Sequence, residues 1–302
     1  MLIRGEEDAV SPLTPRLYSA VEMTVPLTIA SKRKRFFAFR DYPHESVERL
    51  ASEFTSAKPF PHLVLQDFLN LTPDEVLESY PPPDSPYWHK RHDVYQSGKM
   101  YCRDTDVIAP LIASMFYELS SPPFLQFLES VTGIDGLIPD PYYEGGGLHC
   151  SGPGGVLMPH TDFHYYDRLK LYRRINLLLY LNPDWEESFG GCLELWEKGA
   201  EKPATVVVPK WGTCVIFRTD DDSVHGFSTP IEQGHWRRSI ALYYYSSHEA
   251  TRFSGDPYTY WQQHGPQSGM NRLRIRWYLF LMRAAHKLSY LAHRANPNKE
   301  KL

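Results

Sequence analysis

The spacing of apolar residues along the chain changes near residue 135. Before this point, segments 106–119 and 122–132 carry apolar residues at three- and four-residue steps. This pattern is typical of helices that pack one face on a sheet. Pro110 is a weak point in the first segment, because proline disrupts the interior of a helix. The first part of the chain therefore predicts helices that support a core formed by later residues.

A strand and a short helix are predicted before these two helices. Residues 61–69 alternate between apolar and polar positions closely enough to predict a strand. Thr72 can cap the helix that follows, Pro73 suits its first position, and Glu75 completes a capping box. We expect this helix to end near Tyr80, because three prolines follow it.

Short strand-like runs alternate with turns rich in Gly, Pro and Asp from residue 135 to Tyr245. Many short strands with such turns predict a β-rich α+β protein whose core is a sandwich or a barrel. The predicted strands cover residues 156–163, 174–182, 192–197, 204–209, 212–219 and 237–246.

A basic amphipathic helix is predicted at about 271–294. Such a helix can lie on a membrane surface, but packing on the protein's own core or on a second copy of the chain is more common. We therefore divide the chain into an N-terminal extension (1–33), a single β-rich domain with helical N-terminal support (34–250) and a C-terminal helical segment (251–302). A homodimer through the last helix is one arrangement that this division allows.

Composition and charge narrow the classes of function. The 302 residues include 32 Lys and Arg against 36 Asp and Glu, so the net charge is −4 and nucleic-acid binding is not expected. No apolar run is long enough to predict a membrane span, and the acidic first residues do not resemble a signal peptide. The four cysteines are scattered without a CxxC pair, which favours a reducing, cytoplasmic location over a disulfide framework or a zinc ribbon.

The candidate chemistry begins at the sequence Pro159-His160-Thr161-Asp162. Residues i and i+2 of a strand point to the same side, so His160 and Asp162 present an imidazole and a carboxylate together. His225 follows 225 − 162 = 63 residues after Asp162, far enough for several strands to bring the chain back. Two histidines and one carboxylate form the facial triad that suits non-haem Fe(II). An isolated HxD is weak evidence, because any one of the 13 histidines can be a surface or core residue.

Two predicted strands carry polar side chains beside this candidate triad. Arg237 and Ser239 share one side of strand 237–246 and can together hold a carboxylate, whereas Arg238 faces the other side. In strand 174–182, polar and apolar positions alternate in a way that predicts polar groups facing a buried cavity. The inward-facing set is Asn176, Leu178 and Tyr180.

Taken together, five segments resemble the 2-oxoglutarate and Fe(II)-dependent oxygenases, in particular the prolyl-4-hydroxylase-like branch. They are PHTD, RRINLLLYLNPDW, GGCLELW, VHGFSTP and RRSIALYYY. The resemblance is close over about 135–247 and looser over PFPHLVLQDFL near the N-terminus. It implies a double-stranded β-helix, that is, a cupin-like jelly roll, flanked by N-terminal helices and a C-terminal helix.

The resemblance also implies the ligands of the site. Fe(II) would be held by His160, Asp162 and His225, with 2-oxoglutarate and O2 as co-substrates and ascorbate as a candidate reductant. The residues implied around 2-oxoglutarate are Arg237, Tyr180, Ser239, Asn176 and Leu178. One position departs from the family pattern, because many members carry a tyrosine nine or ten residues before the first histidine, where this chain has Ser151 or Cys150.

Candidate substrate contacts lie on both sides of the HxD motif. The segment DPYYEGGGLH contains three consecutive glycines, which permit a close backbone approach, although a tight turn between strands explains them equally well. A basic segment that includes Arg173 and Arg174 can attract an anionic substrate, but a solvated loop is the commoner outcome for such a segment. The candidate substrate residues are Tyr142, Tyr143, Glu144, His149 and His164.

Three functions are compatible with these residues. The family resemblance implies a dioxygenase that hydroxylates an unactivated C–H bond of a small molecule or a tethered amino-acid or peptide substrate, releasing succinate and CO2. The first alternative is a protein prolyl hydroxylase, for which the sequence shows no peptide-recognition module. The second is a jelly-roll protein that senses a metal or 2-oxoglutarate without turnover. The intact HxD, His and RxS positions favour an enzyme over the sensor.

Overall fold

The computed structural model describes residues 35–91, 95–248 and 259–261, together with ten helical residues between 273 and 291. The predicted extension 1–33 and most of the segment 251–302 lie outside the described residues, so the domain boundaries stay predictions. The helices are α1 (His44–Ser56), α2 (Pro73–Leu77), α3 (Pro110–Leu119) and α4 (Pro122–Thr132). The strands are β1 (His62–Leu65), β2 (His89–Arg91), β3 (Gln96–Cys102), β4 (Ile138–Pro139), β5 (Gly147–Thr161), β6 (Tyr165–Tyr166), β7 (Leu171–Tyr180), β8 (Leu193–Trp196), β9 (Thr205–Val207), β10 (Cys214–Arg218), β11 (Val224–Phe227), β12 (Arg237–Ser246) and β13 (Tyr260–Trp261).

The strands form one antiparallel sheet that folds over on itself at β5. The strand order along the sheet is β1-β10-β7-β12-β5-β11-β8-β9. The first part of β5, Gly147–Ser151, pairs with β12. Its last part pairs with β11, where His160 lies opposite His225. One long strand therefore belongs to both halves of the sheet, and the predicted β-rich jelly-roll fold is confirmed.

The alternation of side chains on β12 and β7 separates a helix-covered side from an enclosed side. Ile240, Leu242 and Tyr244 of β12 belong to a large buried cluster that includes residues of α1, α3 and α4. Tyr180 of β7 and Phe217 of β10 belong to a second buried cluster between the two halves of the sheet. The side of β12 that carries Arg238 therefore packs against the helices.

Several predicted elements need correction. α3 begins at Pro110, so this proline occupies the first helical position, where its missing N–H is tolerated, and it does not weaken a helix interior. α2 has the predicted capping box at Thr72 and Glu75 but ends at Leu77. Of the three consecutive glycines, for which a turn and a close backbone approach were equally good explanations, the last, Gly147, begins β5. The elements that were not predicted from the sequence are α1, β2, β3, β4, β6, β11 and β13.

The C-terminal helix predicted at 271–294 is described only in part. The described residues between Leu273 and Leu291 are helical, and the large apolar ones among them are exposed. Whether this helix covers the core or binds a second copy of the chain stays a prediction. Among the residues that the structure describes, no helix combines the length and the apolar character needed to cross a bilayer.

Candidate metal centre

The side chains of His160, Asp162 and His225 converge where the two halves of the sheet meet. Their ligand atoms all lie within 4.8 Å of one another. The Asp162 carboxylate is 3.6 Å from His160 Nε2 and 3.4 Å from His225 Nε2. β5 ends at Thr161, so Asp162 lies just beyond the strand that carries His160. This set of two imidazoles and one carboxylate can hold a divalent metal ion.

Both imidazoles are oriented by backbone carbonyl groups. His160 Nδ1 is 2.9 Å from the Met158 carbonyl oxygen, and His225 Nδ1 is 3.0 Å from that of Ser223. A carbonyl oxygen only accepts, so each Nδ1 carries the proton and each Nε2 lone pair is directed to the shared site. Burial lowers the pKa of His225 to about 4, although the Asp162 carboxylate opposes this shift. His225 is therefore neutral near pH 7, as a metal ligand must be.

Two buried side chains position the Asp162 carboxylate. Asn176 Nδ2 donates a hydrogen bond of 2.6 Å to Oδ2, and the Arg173 guanidinium forms an ion pair with the same oxygen at 3.0 Å. Arg173 in turn donates to the Asn176 side-chain oxygen at 2.8 Å. Burial raises the pKa of Asp162, but Arg173 and the two histidines lower it more, so it lies well below the usual value. The carboxylate is therefore ionised and fixed in orientation before any metal binds.

The position of Arg173 corrects the prediction of a solvated basic loop. Arg173 and Arg174 belong to β7, and Arg173 is only 1% exposed. The pairing of β12 with β7 shifts between Tyr244 and Tyr245, which lie opposite Ile175 and Arg173 respectively. The extra residue, Arg174, forms a β-bulge that turns Arg173 to the enclosed side. There its guanidinium lies 3.4 Å from the ring centroid of Tyr243.

A partly open pocket borders the candidate metal ligands. Arg237 lies at one side of it and is 6% exposed. Its Nε donates to the Gly191 carbonyl at 2.7 Å, and its Nη2 donates to the Tyr180 hydroxyl at 3.1 Å. Of the five residues implied around 2-oxoglutarate, Tyr180 is not part of the pocket lining but contacts Arg237. The other four line the pocket: Asn176, Leu178, Arg237 and Ser239.

The candidate substrate residues are distributed differently. His149 lines the pocket, and its Nε2 lies 3.0 Å from the Gly145 carbonyl oxygen. Tyr143 packs in the helix-covered cluster against Phe116, and His164 is fully buried beside Asp221. Tyr142 is 40% exposed and Glu144 pairs with Arg103. Of the candidate substrate residues, the lining of this pocket includes only His149.

Lys99 also lines this pocket and was missed by sequence reasoning. It lies on β3, a strand that was not predicted from the sequence. The signal that could have found it is the alternation in this segment, where Met100 and Cys102 are apolar and Lys99 falls on the other side of a strand. That signal is weak without the partner strand.

The fold and the site together define a jelly-roll protein with a two-histidine, one-carboxylate metal centre. A sequence model of the 2OG-Fe(II) oxygenase superfamily matches residues 146–245, from the start of β5 to the end of β12. This match supports the resemblance to the 2-oxoglutarate and Fe(II)-dependent oxygenases that the sequence predicted.

Similar proteins include prolyl hydroxylases. Prolyl 3-hydroxylase OGFOD1 of Xenopus laevis is 27% identical over 202 residues, which are 62% of this chain and 35% of that protein. The Mus musculus protein of the same name is 27% identical over 206 residues, covering 62% and 33%. A solved prolyl hydroxylase of Trichoplax adhaerens, in complex with a peptide fragment of the hypoxia inducible factor oxygen degradation domain, has a TM-score of 0.48 and 18% identity, covering 67% of this chain and 91% of that one. The chain spans about a third of the length of the curated relatives.

Proposed function

We propose that this chain is an Fe(II)- and 2-oxoglutarate-dependent dioxygenase that hydroxylates an unactivated C–H bond. The observation that carries the proposal is the convergence of His160, Asp162 and His225, with both Nε2 lone pairs directed to one point. The family match over residues 146–245 supports the same reaction class. Ascorbate is a candidate reductant for the ferrous state.

The donor set fits the ferrous ion of this family. When bound there, the ion would supply the reaction of O2 with 2-oxoglutarate that releases succinate and CO2 and oxidises the substrate. His160, Asp162 and His225 would hold it and leave other coordination positions open for the co-substrates. Arg173 and Asn176 keep the Asp162 carboxylate ionised and oriented, so this ligand does not have to reorganise when the metal binds.

The proposed anchor for the far carboxylate of 2-oxoglutarate is Arg237. Tyr180 and the Gly191 carbonyl fix its guanidinium, which leaves donors directed to the pocket. A charge-assisted pair in such a buried place gives both affinity and orientation. Ser239, on the same side of β12, supplies a hydroxyl to the same end of the pocket.

For the substrate, a small molecule or an amino acid in a peptide fits this reaction class. The names of the two curated relatives favour a second, narrower candidate, the hydroxylation of a prolyl residue in a protein. The match covers only about a third of each of these relatives, so their substrates are carried over here only as a proposal.

A cytoplasmic location is a further part of the proposal. Cys102, Cys150, Cys192 and Cys214 are all free and buried. Free buried thiols are common in proteins of a reducing compartment.

The test of the proposed function is the formation of succinate from 2-oxoglutarate in air with added Fe(II). We expect wild-type protein to form succinate slowly without a substrate and faster with the correct one, and Asp162→Gly to form none. A protein that binds Fe(II) and 2-oxoglutarate but never releases succinate, with or without candidate peptides, would be a sensor. Prolyl peptides and free amino acids, supplied in parallel, separate the two substrate classes.

A further inference from the structure

Lys99 and Arg237 stand on either side of one small residue in the pocket wall. Ser151 of β5 is paired with Lys99 of β3 on one edge and with Arg237 of β12 on the other. Residues directly opposite each other in antiparallel strands point to the same side of the sheet. With neighbouring strands about 4.8 Å apart, the two backbones are separated by roughly 10 Å, so both long side chains can reach a single point above Ser151.

Neither cation has a carboxylate partner among the described residues. Within the described ranges, the Arg237 guanidinium donates to the neutral Gly191 carbonyl and the Tyr180 hydroxyl, and to no carboxylate. In the part of the chain that the structure describes, the Lys99 ammonium has no hydrogen bond or ion pair. Both nevertheless line the same pocket. Two positive charges that share a low-dielectric pocket are unfavourable unless an anion joins them.

The groups around this pair do not supply that anion. The one carboxylate in the lining of this pocket, Asp162, is already held by Arg173 and Asn176 and is one of the proposed metal ligands. Burial, and then the charges of Lys99 and Arg237, hold the pKa of His149 well below its usual range, so its ring is neutral. Burial lowers the pKa of Lys99 to about 8, with Asp162 opposing the shift. The end of the pocket over Ser151 is therefore positively charged and open to a ligand.

We propose that Lys99 and Arg237 together bind one carboxylate of the dicarboxylate co-substrate in the space above Ser151. This inference rests on the proposed function, because it assigns a second binding residue to the same pocket. The small Ser151 side chain leaves room for the carboxylate between the two cations. Lys99 would then help to select the co-substrate, because a keto acid that lacks the second carboxylate has no group for Lys99 to bind and gains no affinity from it.

The test measures binding rather than turnover. Protein loaded with Mn(II) is titrated anaerobically with 2-oxoglutarate and with 2-oxopentanoate, which has the same length but lacks the far carboxylate. The variants are Lys99→Met, which keeps the length and removes the charge, and Lys99→Arg, which keeps the charge. Lys90→Met, on the exposed strand β2, is the matched control.

We expect Lys99→Met to raise the Kd of 2-oxoglutarate at least about tenfold, since it removes a charge-assisted bond. The Kd of 2-oxopentanoate should stay unchanged, Lys99→Arg should recover most of the affinity, and Lys90→Met should behave as wild type. Ser151→Leu, which fills the proposed space and keeps both charges, should give the same selective loss and serves if Lys99→Met does not fold.

Three outcomes would overturn the inference. An unchanged Kd of 2-oxoglutarate in Lys99→Met means that Lys99 faces another ligand, such as the substrate to be hydroxylated. An equal loss for both keto acids means that Lys99 binds the carboxylate next to the metal. A wild-type protein that binds Mn(II) but neither keto acid contradicts the proposed function itself, and this result is distinct from the other two.

Discussion

Arg237 and Arg238 are adjacent on β12, yet their side chains have different surroundings. Arg237 lines the pocket, whereas Arg238 is not among the lining residues. We expect Arg237→Ala to weaken 2-oxoglutarate binding by about 2–5 kcal/mol, roughly thirtyfold or more, because a desolvated charge-assisted pair is lost. Arg238→Ala should change it far less. Calorimetric titration of both variants decides the matter, and a larger loss in Arg238→Ala would mean that the pocket faces the other side of β12.

Arg173 is a buried cation whose main partner is Asp162, a proposed metal ligand. Arg173→Met leaves the Asp162 carboxylate buried without its ion pair, which should cost about 3–5 kcal/mol of stability to unfolding by urea. Metal affinity should fall about 10- to 100-fold, because Asp162 loses its orientation. Arg168→Met is the control, since Arg168 lies over the ring of the exposed residue Tyr142. Equal effects of the two substitutions would show that Arg173 does not support the site.

The pKa of Lys99 predicts how 2-oxoglutarate binding depends on pH. Its folded value of about 8 means that the ammonium is charged at pH 7 and mostly neutral at pH 9. The charged groups that act on it are Asp162, Arg91, Arg237 and Arg173. A carboxylate ligand favours the charged form, so affinity should be highest below pH 8 and fall several-fold between pH 7 and pH 9. The 2-oxoglutarate affinity of Lys99→Arg should not change between pH 7 and pH 9. An equally constant affinity in the wild-type protein would contradict the proposal that Lys99 binds 2-oxoglutarate.

Gly226 controls how closely β11 and β5 approach at the metal centre. A Cβ atom added there would lie 2.6 Å from the Leu157 carbonyl oxygen and 2.9 Å from Pro159 N. Gly226→Ala must therefore push β11 away from β5, which separates His225 from His160. We expect a loss of about 1–3 kcal/mol of stability, as for other overpacked sites, with weaker Zn(II) binding. Val206→Ala, at an exposed position of β9, is the control. An unchanged Zn(II) affinity in Gly226→Ala would show that the close approach of β11 to β5 is not needed to hold His225 beside His160.

The strands of the core could be predicted from sequence because their alternation is local. Counting residues along β12 predicts that Arg237 and Ser239 share one side of the strand, and the observed pairing of β12 with β5 agrees with this prediction. Arg173 could not be predicted in the same way, because the bulge at Arg174 reverses the alternation and depends on the partner strand. Lys99 was missed for a related reason, since its place beside Arg237 depends on the pairing of β3 with β5. Counting along one strand therefore finds residues that share a side, but not residues that different strands bring together.

The helices and the sheet share one hydrophobic cluster at the scale of the whole molecule. Phe124 of α4 is fully buried, with ring contacts to Phe39, Phe68, Phe127 and Tyr244. Because Tyr244 lies on β12, Phe124 connects the helices to the strand that carries Arg237. Phe124→Ala should lower the free energy of unfolding by about 3–5 kcal/mol. Tyr117→Ala, at a 61% exposed position of α3, is the control. A comparable loss of unfolding free energy in Tyr117→Ala would show that the packing of α4 on the sheet does not contribute more than an exposed helix position.

The central claim is that His160, Asp162 and His225 bind Fe(II) together with 2-oxoglutarate. The most direct measurement is the visible absorption of the protein with Fe(II) and 2-oxoglutarate under anaerobic conditions. Chelation of the metal by the keto acid should produce a weak charge-transfer band in wild-type protein that saturates at one Fe(II) per chain. The band should be absent from the His160→Ala, His225→Ala double variant, whose fold is checked by circular dichroism. A band of full intensity in that folded double variant would contradict the account, because the metal would then be bound elsewhere.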